Sequence, residues 1–178
     1  LISLIKLTLV LDLTAKQIGL GGFGGCAIMS DDNIYCWGPN YYGYAGMGIT
    51  DTTTKVSTPT MVVMPAGLTA KHVPLSAQYS RCAIMSDDNI YCWGQELGHG
   101  EFGGASLLVP TAIAMPSGRK AKKLGAGGFH YCAIMDDDSL YCVGKNDDGQ
   151  LGIGSTTDQT TLQQVLVSEK TWLPYEWT

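Results

Sequence analysis

Over residues 26–38, CAIMSDDNIYCWG, apolar residues come in two short runs about a polar tip. Ile28 sits between Ala27 and Met29; after Ser30, Asp31, Asp32 and Asn33 come Ile34, Tyr35, Cys36 and Trp37. Two such runs about turn residues predict a β-hairpin. Asp and Asn suit the tip because they tolerate tight backbone angles and hydrogen-bond locally. The same thirteen residues return at 82–94, and a third version, CAIMDDDSLYCVG, occupies 132–144.

The similarity extends beyond the hairpin. LTAKQIGLGGFGG, LTAKHVPLSAQYSR and RKAKKLGAGGFHY lie upstream; PNYYGYAGMG, QELGHGEFGG and KNDDGQLGIG lie downstream. TPTMVVMP at 58–65 matches VPTAIAMP at 109–116. The pairs of cysteines begin 56 and then 50 positions apart, so the unit is a repeat of about that length. Such a period predicts propeller blades or another stacked unit rather than independent domains. We divide the single arc of 1–178 into the end of a preceding repeat (1–12), repeat 1 (13–67), repeat 2 (68–117), repeat 3 (118–167) and a tail or start of the next blade (168–178).

All six cysteines lie in the hairpins, with nine residues between the two members of each pair. If residue 31 is the centre of the turn, Cys26 faces Cys36. Directly opposed residues have Cα atoms about 4.5 Å apart in a non-hydrogen-bonded pair, within disulfide reach. The same arithmetic pairs Cys82 with Cys92 and Cys132 with Cys142. Three disulfides are expected, the other possibility being three reduced buried pairs. Closing so short a loop contributes on the order of 2–3 kcal/mol. Evenly paired cysteines point to an oxidising compartment, hence an extracellular or cell-surface location. Zinc sites use tighter pairs, roughly two to four residues apart.

Composition narrows the functional classes. The chain is 45% hydrophobic and 15% charged with 23 glycines, a β-rich, turn-rich balance. A net charge of −5 argues against a nucleic-acid partner. The one basic cluster, Arg119, Lys120, Lys122 and Lys123, reads as a solvated loop. No apolar run reaches the length of a membrane span. Residues 1–13 lack the basic start and cleavage site of a signal peptide and read as a strand. With no initiator Met, the sequence is expected to be processed or part of something longer.

No catalytic, cofactor or metal site is expected. His72, His99 and His130 lack metal-ligand or nucleophile contexts and read as structural. The acidic tips Asp31–Asp32, Asp87–Asp88 and Asp136–Asp138 read as solvated turns, because calcium needs converging oxygens. The glycine-rich lead-ins open no helix, so they cradle no phosphate. The informative positions vary within the repeated frame: Phe23, Tyr79 and Phe129 in one slot; Gly25, Arg81 and Tyr131 in another; Tyr41, Tyr42 and Tyr44 in a loop. Loops on a rigid scaffold carry function, and Tyr and Arg anchor interfaces. These residues are candidate partner contacts, blade packing being the alternative. The tail KTWLPYEWT is a docking segment or a strand of a next blade.

The repeats resemble those of the regulator of chromosome condensation family. The third matches best, with Gly127, Gly128, His130, Cys132, Ala133 and Ile134, then Asp137, Tyr141, Gly144, Asn146, Gly149, Gln150, Leu151 and Gly152. The first keeps Trp37, Gly38, Asn40, Gly43, Gly46 and Gly48; the second keeps Trp93 and Gly94 and then departs. The resemblance implies an all-β fold, a seven-bladed β-propeller of four-stranded antiparallel blades. Extracellular relatives of the family often carry the same cysteine pair. Trp37 and Trp93, with Val143 in their slot, would fill the space between blades. Seven blades need about 350 residues, so this chain would supply a partial propeller of three to four. Its open blade edges would be met by the rest of a longer polypeptide, by self-association or by another protein subunit. The expected function is that of a secreted or surface structural and protein-interaction module. One alternative is carbohydrate (glycan) or small-ligand binding by the aromatic loops. Another, implied by the family name, is guanine-nucleotide exchange on a small GTPase.

Overall fold

The computed structural model describes residues 12–49, 53–74, 80–94 and 106–167. Residues 1–11 and the 168–178 tail, with Tyr79 and His99, lie outside them. The described residues form three four-stranded antiparallel sheets. Blade 1 comprises β1 (Ala15–Gly21), β2 (Gly24–Met29), β3 (Ile34–Pro39) and β4 (Lys55–Met61). Blade 2 comprises β5 (Ala70–His72), β6 (Ser80–Met85), β7 (Ile90–Gly94) and β8 (Leu107–Ala112). Blade 3 comprises β9 (Ala121–Ala126), β10 (His130–Met135), β11 (Leu140–Gly144) and β12 (Gln159–Gln164). In each blade the strands lie side by side in chain order. This is the all-β propeller architecture.

Each repeated phrase folds as a hairpin with the register its symmetry requires. Cys26 pairs with Cys36, Cys82 with Cys92 and Cys132 with Cys142. Residues alternate between the two faces of a strand, and in a propeller each face meets a different neighbour. Cys82, Ile84, Ile90 and Cys92 of blade 2 pack with Leu124, Tyr131 and Met135 of blade 3. The alternate residues, Ala83, Met85 and Trp93, pack with Cys26, Ile28, Ile34 and Cys36 of blade 1. This is why every residue of β6 is buried. The core therefore consists of two interblade layers.

The first strands of the blades are laced together. The Gln17 amide Nε2 donates to His72 Nδ1 at 2.9 Å and to the Val73 carbonyl at 3.0 Å. With Nδ1 accepting, His72 Nε2 carries the proton and donates to the Leu124 carbonyl of blade 3 at 2.9 Å. One imidazole thus links all three blades.

Candidate interaction surfaces and blade interfaces

The cysteines are bonded within their own hairpins, with Cα–Cα distances of 4.1, 4.0 and 4.1 Å. Their place in the fold adds something the spacing did not reveal. Cys26, Cys36, Cys82 and Cys92 are nearly inaccessible and belong to the interblade layers. These two disulfides are therefore core surface for the following blade as well as clasps for their own hairpins.

Trp93 is fully buried between blades 1 and 2, where its indole Nε1 donates to the Tyr44 carbonyl at 3.1 Å. Trp37 is half-buried and lies over Gly25, where a Cβ would sit 2.6 Å from its ring. Val143, in the same slot, is buried against blade 2.

The candidate contact residues divide sharply. Arg81, Tyr131 and Tyr44 are buried, and blade packing takes them. The Arg81 guanidinium lies 5.2 Å from the Tyr44 ring centroid, bridging blades 2 and 1. Burial pushes its pKa down, and its Nε and Nη1 atoms have no hydrogen-bond partner among the described residues. The Tyr131 hydroxyl shares a 2.8 Å hydrogen bond with Ser80, and burial pushes its pKa well up. Phe23, Tyr41 and Tyr42 are exposed. Phe129 is half-exposed, with Lys145 Nζ 5.8 Å from its ring centroid. Tyr41 and Tyr42 belong to a 3-10 turn, Tyr41–Gly43, in which Tyr42 is left-handed at φ 58°. Such a backbone is uncommon for a bulky residue.

That turn is held from beneath by Asn40, which is wholly buried. Its Oδ1 accepts from the Ala45 N–H and its Nδ2 donates to the Ile49 carbonyl, both at 2.9 Å. Asn146 does the same in blade 3, accepting from the Leu151 N–H and donating to the Ser155 and Thr157 carbonyls. The sequence signal was the recurrence of Asn two residues after the aromatic-glycine or Val-Gly exit.

The acidic tips face outward and are individually paired. Asp31 accepts from the Asn33 backbone and side chain and from the Tyr35 hydroxyl; Asp87 does so from Asn89 and Tyr91. Asp32, Asp88 and Asp138 are left-handed and pair with Lys16, Lys71 and Lys122 of the adjacent first strands. The basic cluster is likewise engaged: Arg119 meets Asp137 at 2.8 Å and Lys120 meets Asp88 at 3.5 Å. His130 folds over Gly127, and burial lowers its pKa. Among the described residues, no group of three or more His, Cys, Asp or Glu is placed to hold a metal ion. No described helix is long and apolar enough to cross a membrane. The surface thus carries exposed aromatic residues, Phe23, Tyr41 and Tyr42, on the frame of blade 1.

The regulator of chromosome condensation (RCC1) repeat matches residues 15–43 and 121–150. Two of its three repeated segments are thus similar to RCC1 repeats. Human WBSCR16 superposes with a TM-score of 0.76 at 20% identity, over 87% of this chain and 40% of that one. Yeast Prp20, studied for its binding to Gsp1p and histones, superposes with a TM-score of 0.72 at 19% identity, over 86% of this chain and 39% of that one. The ultraviolet-B receptor UVR8 of Arabidopsis thaliana is 28% identical over 85% of this chain and 34% of its own length. The chain thus spans between a third and two-fifths of these relatives. The described residues thus have the fold of an arc of such a propeller.

Proposed function

We propose that the chain is part of a secreted or cell-surface RCC1-type propeller that serves as a non-catalytic protein-interaction module in a larger extracellular protein or assembly. The observation that carries this reading is the burial of cystine within the interblade layers. A disulfide used as packing surface must persist, and disulfides persist in oxidising compartments. Repeats 13–67, 68–117 and 118–167 would each supply one blade. The outward face of blade 3 suits an assembly role. Ile134 and Leu140 are 38% and 36% exposed, whereas their equivalents Ile84 and Ile90 are 1% exposed beneath blade 3. A further blade, or a partner's blade, would cover them.

The test is the intact mass of the protein from its native source, denatured, before and after reduction. Three disulfides add about six hydrogens on reduction. Free thiols in the native protein would remove the basis for an extracellular location.

A second reading is glycan or small-ligand binding at Tyr41 and Tyr42, favoured by their exposure and by the left-handed Tyr42. Sugar-dependent protection of these tyrosines from chemical modification would support it. Nucleotide exchange is the third reading, prompted by the Gsp1p binding of Prp20. Fold alone does not carry that activity, and the expected result is no acceleration of nucleotide release from a small GTPase.

A further inference from the structure

The two interblade layers are built from the same slots but hold different side chains in them. Between blades 1 and 2 the slots hold Ile34, Cys36, Val62, Val73, Arg81 and Trp93. A void bounded there by Gly19, Cys26, Pro74 and Trp93 is about 10 Å³, no more than one water needs. Between blades 2 and 3 the corresponding residues are Ile90, Cys92, Ile113, Leu124, Tyr131 and Val143. These residues line a cavity of about 190 Å³.

The correspondence is set by the backbone. Val62 N–H donates to the Ile34 carbonyl as Ile113 N–H donates to that of Ile90. Arg81 opposes Trp93 across the hairpin as Tyr131 opposes Val143. The step from Trp to Val removes an indole from the layer. Tyr131 lines the space, with its hydroxyl held by Ser80 at 2.8 Å.

We propose that this cavity is a binding site for a small, neutral, planar aromatic molecule of one or two fused rings, with indole as the reference shape. Its walls are mainly aliphatic, with Thr160 and Thr161 as polar members and the exposed Ala112 at its mouth. An apolar cavity of about 150 Å³ in another protein takes up benzene, which sets the scale. Drug-sized ligands need roughly 300 Å³ or more, so a smaller molecule fits this volume better. The site is independent of where the protein resides and of which partner it meets.

The experiment is a calorimetric titration of the 178-residue chain with indole, repeated on Val143→Trp and Ala112→Leu. Val143→Trp restores the side chain found in the other two repeats. Ala112→Leu narrows the mouth from an exposed position, where the fold has room for it. The expected result is saturable binding of one indole per chain, abolished by Val143→Trp and weakened about tenfold or more by Ala112→Leu. If Val143→Trp does not fold, Ala112→Leu decides. Absence of saturable binding to the wild-type chain, or binding undiminished in the folded variants, overturns the proposal.

Discussion

Gly19 and Gly125 hold the same position in the first strands of blades 1 and 3, yet only one needs to be glycine. A Cβ at Gly19 would lie 2.1 Å from the Pro74 carbonyl oxygen of blade 2, whereas one at Gly125 would find its nearest neighbour at 3.8 Å. Backbone cannot yield as a side-chain tip can. Gly19→Ala should therefore cost about 1–3 kcal/mol and lower the melting temperature, while Gly125→Ala stays near wild type. Equal losses would mean that the two inner strands are crowded alike. Arg81 permits a second residue-level test. Its guanidinium is buried with two nitrogens unpartnered among the described residues. A buried charge contributes little net stability when an apolar side chain of similar shape can replace it. Arg81→Met should leave the midpoint of chemical denaturation unchanged or raise it, whereas Arg81→Ala should lower it by leaving a hole. A clear loss for Met would show that the charge is satisfied in solution.

The hairpins were the most legible elements, because their turn chemistry and internal symmetry fix a register without reference to the rest of the chain. That arithmetic placed Cys26 opposite Cys36, and the strands pair there. It could not place Arg81 or Tyr131, because which face of a strand meets a neighbouring blade depends on blade stacking. Both therefore read as either partner contacts or blade packing, and the structure buries both. The Lys16–Asp32 pair and its two counterparts were not legible for the same reason: each joins a first strand to a hairpin tip 16 or 17 residues further on. The tips also predict an acid response. Burial alone would raise the Asp31 and Asp87 carboxyls, but hydrogen bonds from Asn33 and Tyr35, and from Asn89 and Tyr91, outweigh it and hold both below the ordinary 3.8. A carboxyl whose folded pKa is depressed contributes stability that is present above its unfolded value and lost as pH falls through the folded one. The melting temperature should accordingly drop below about pH 4, and Asp31→Asn with Asp87→Asn should flatten that drop. Identical profiles for variant and wild type would exclude the tips as its source.

Over the whole molecule, stacking decides which apolar residues are core. Ile28, Ile84 and Ile134 are one residue said three times, and so are Ile34, Ile90 and Leu140. The first two members of each set are at most 3% exposed because another blade lies over them, while Ile134 and Leu140 are 38% and 36% exposed. Periodicity alone marks all six as core, which is why a sequence can announce a propeller without saying how an arc of it is completed. The disulfides divide in the same way. Removing Cys82–Cys92 by paired alanine substitution takes away the clasp, on the order of 2–3 kcal/mol, and also opens the layer between blades 2 and 3. Removing Cys132–Cys142 takes away mainly the clasp, since Cys132 is only partly buried. The first double variant should melt lower than the second. The outward face of blade 3 yields the last prediction. If it receives a blade from a second copy, sedimentation velocity should show association that grows with concentration. Ile134→Lys should then abolish it while the fold persists, because the new charge sits where solvent already reaches. Ile84→Lys, its counterpart beneath blade 3, should unfold the chain instead. A wild type that stays monomeric at every attainable concentration would exclude self-association and leave the face to a different polypeptide segment. A wild type that associates equally well as Ile134→Lys would move the interface elsewhere, with the half-buried Trp37 and exposed Leu20 of blade 1 as the next residues to change.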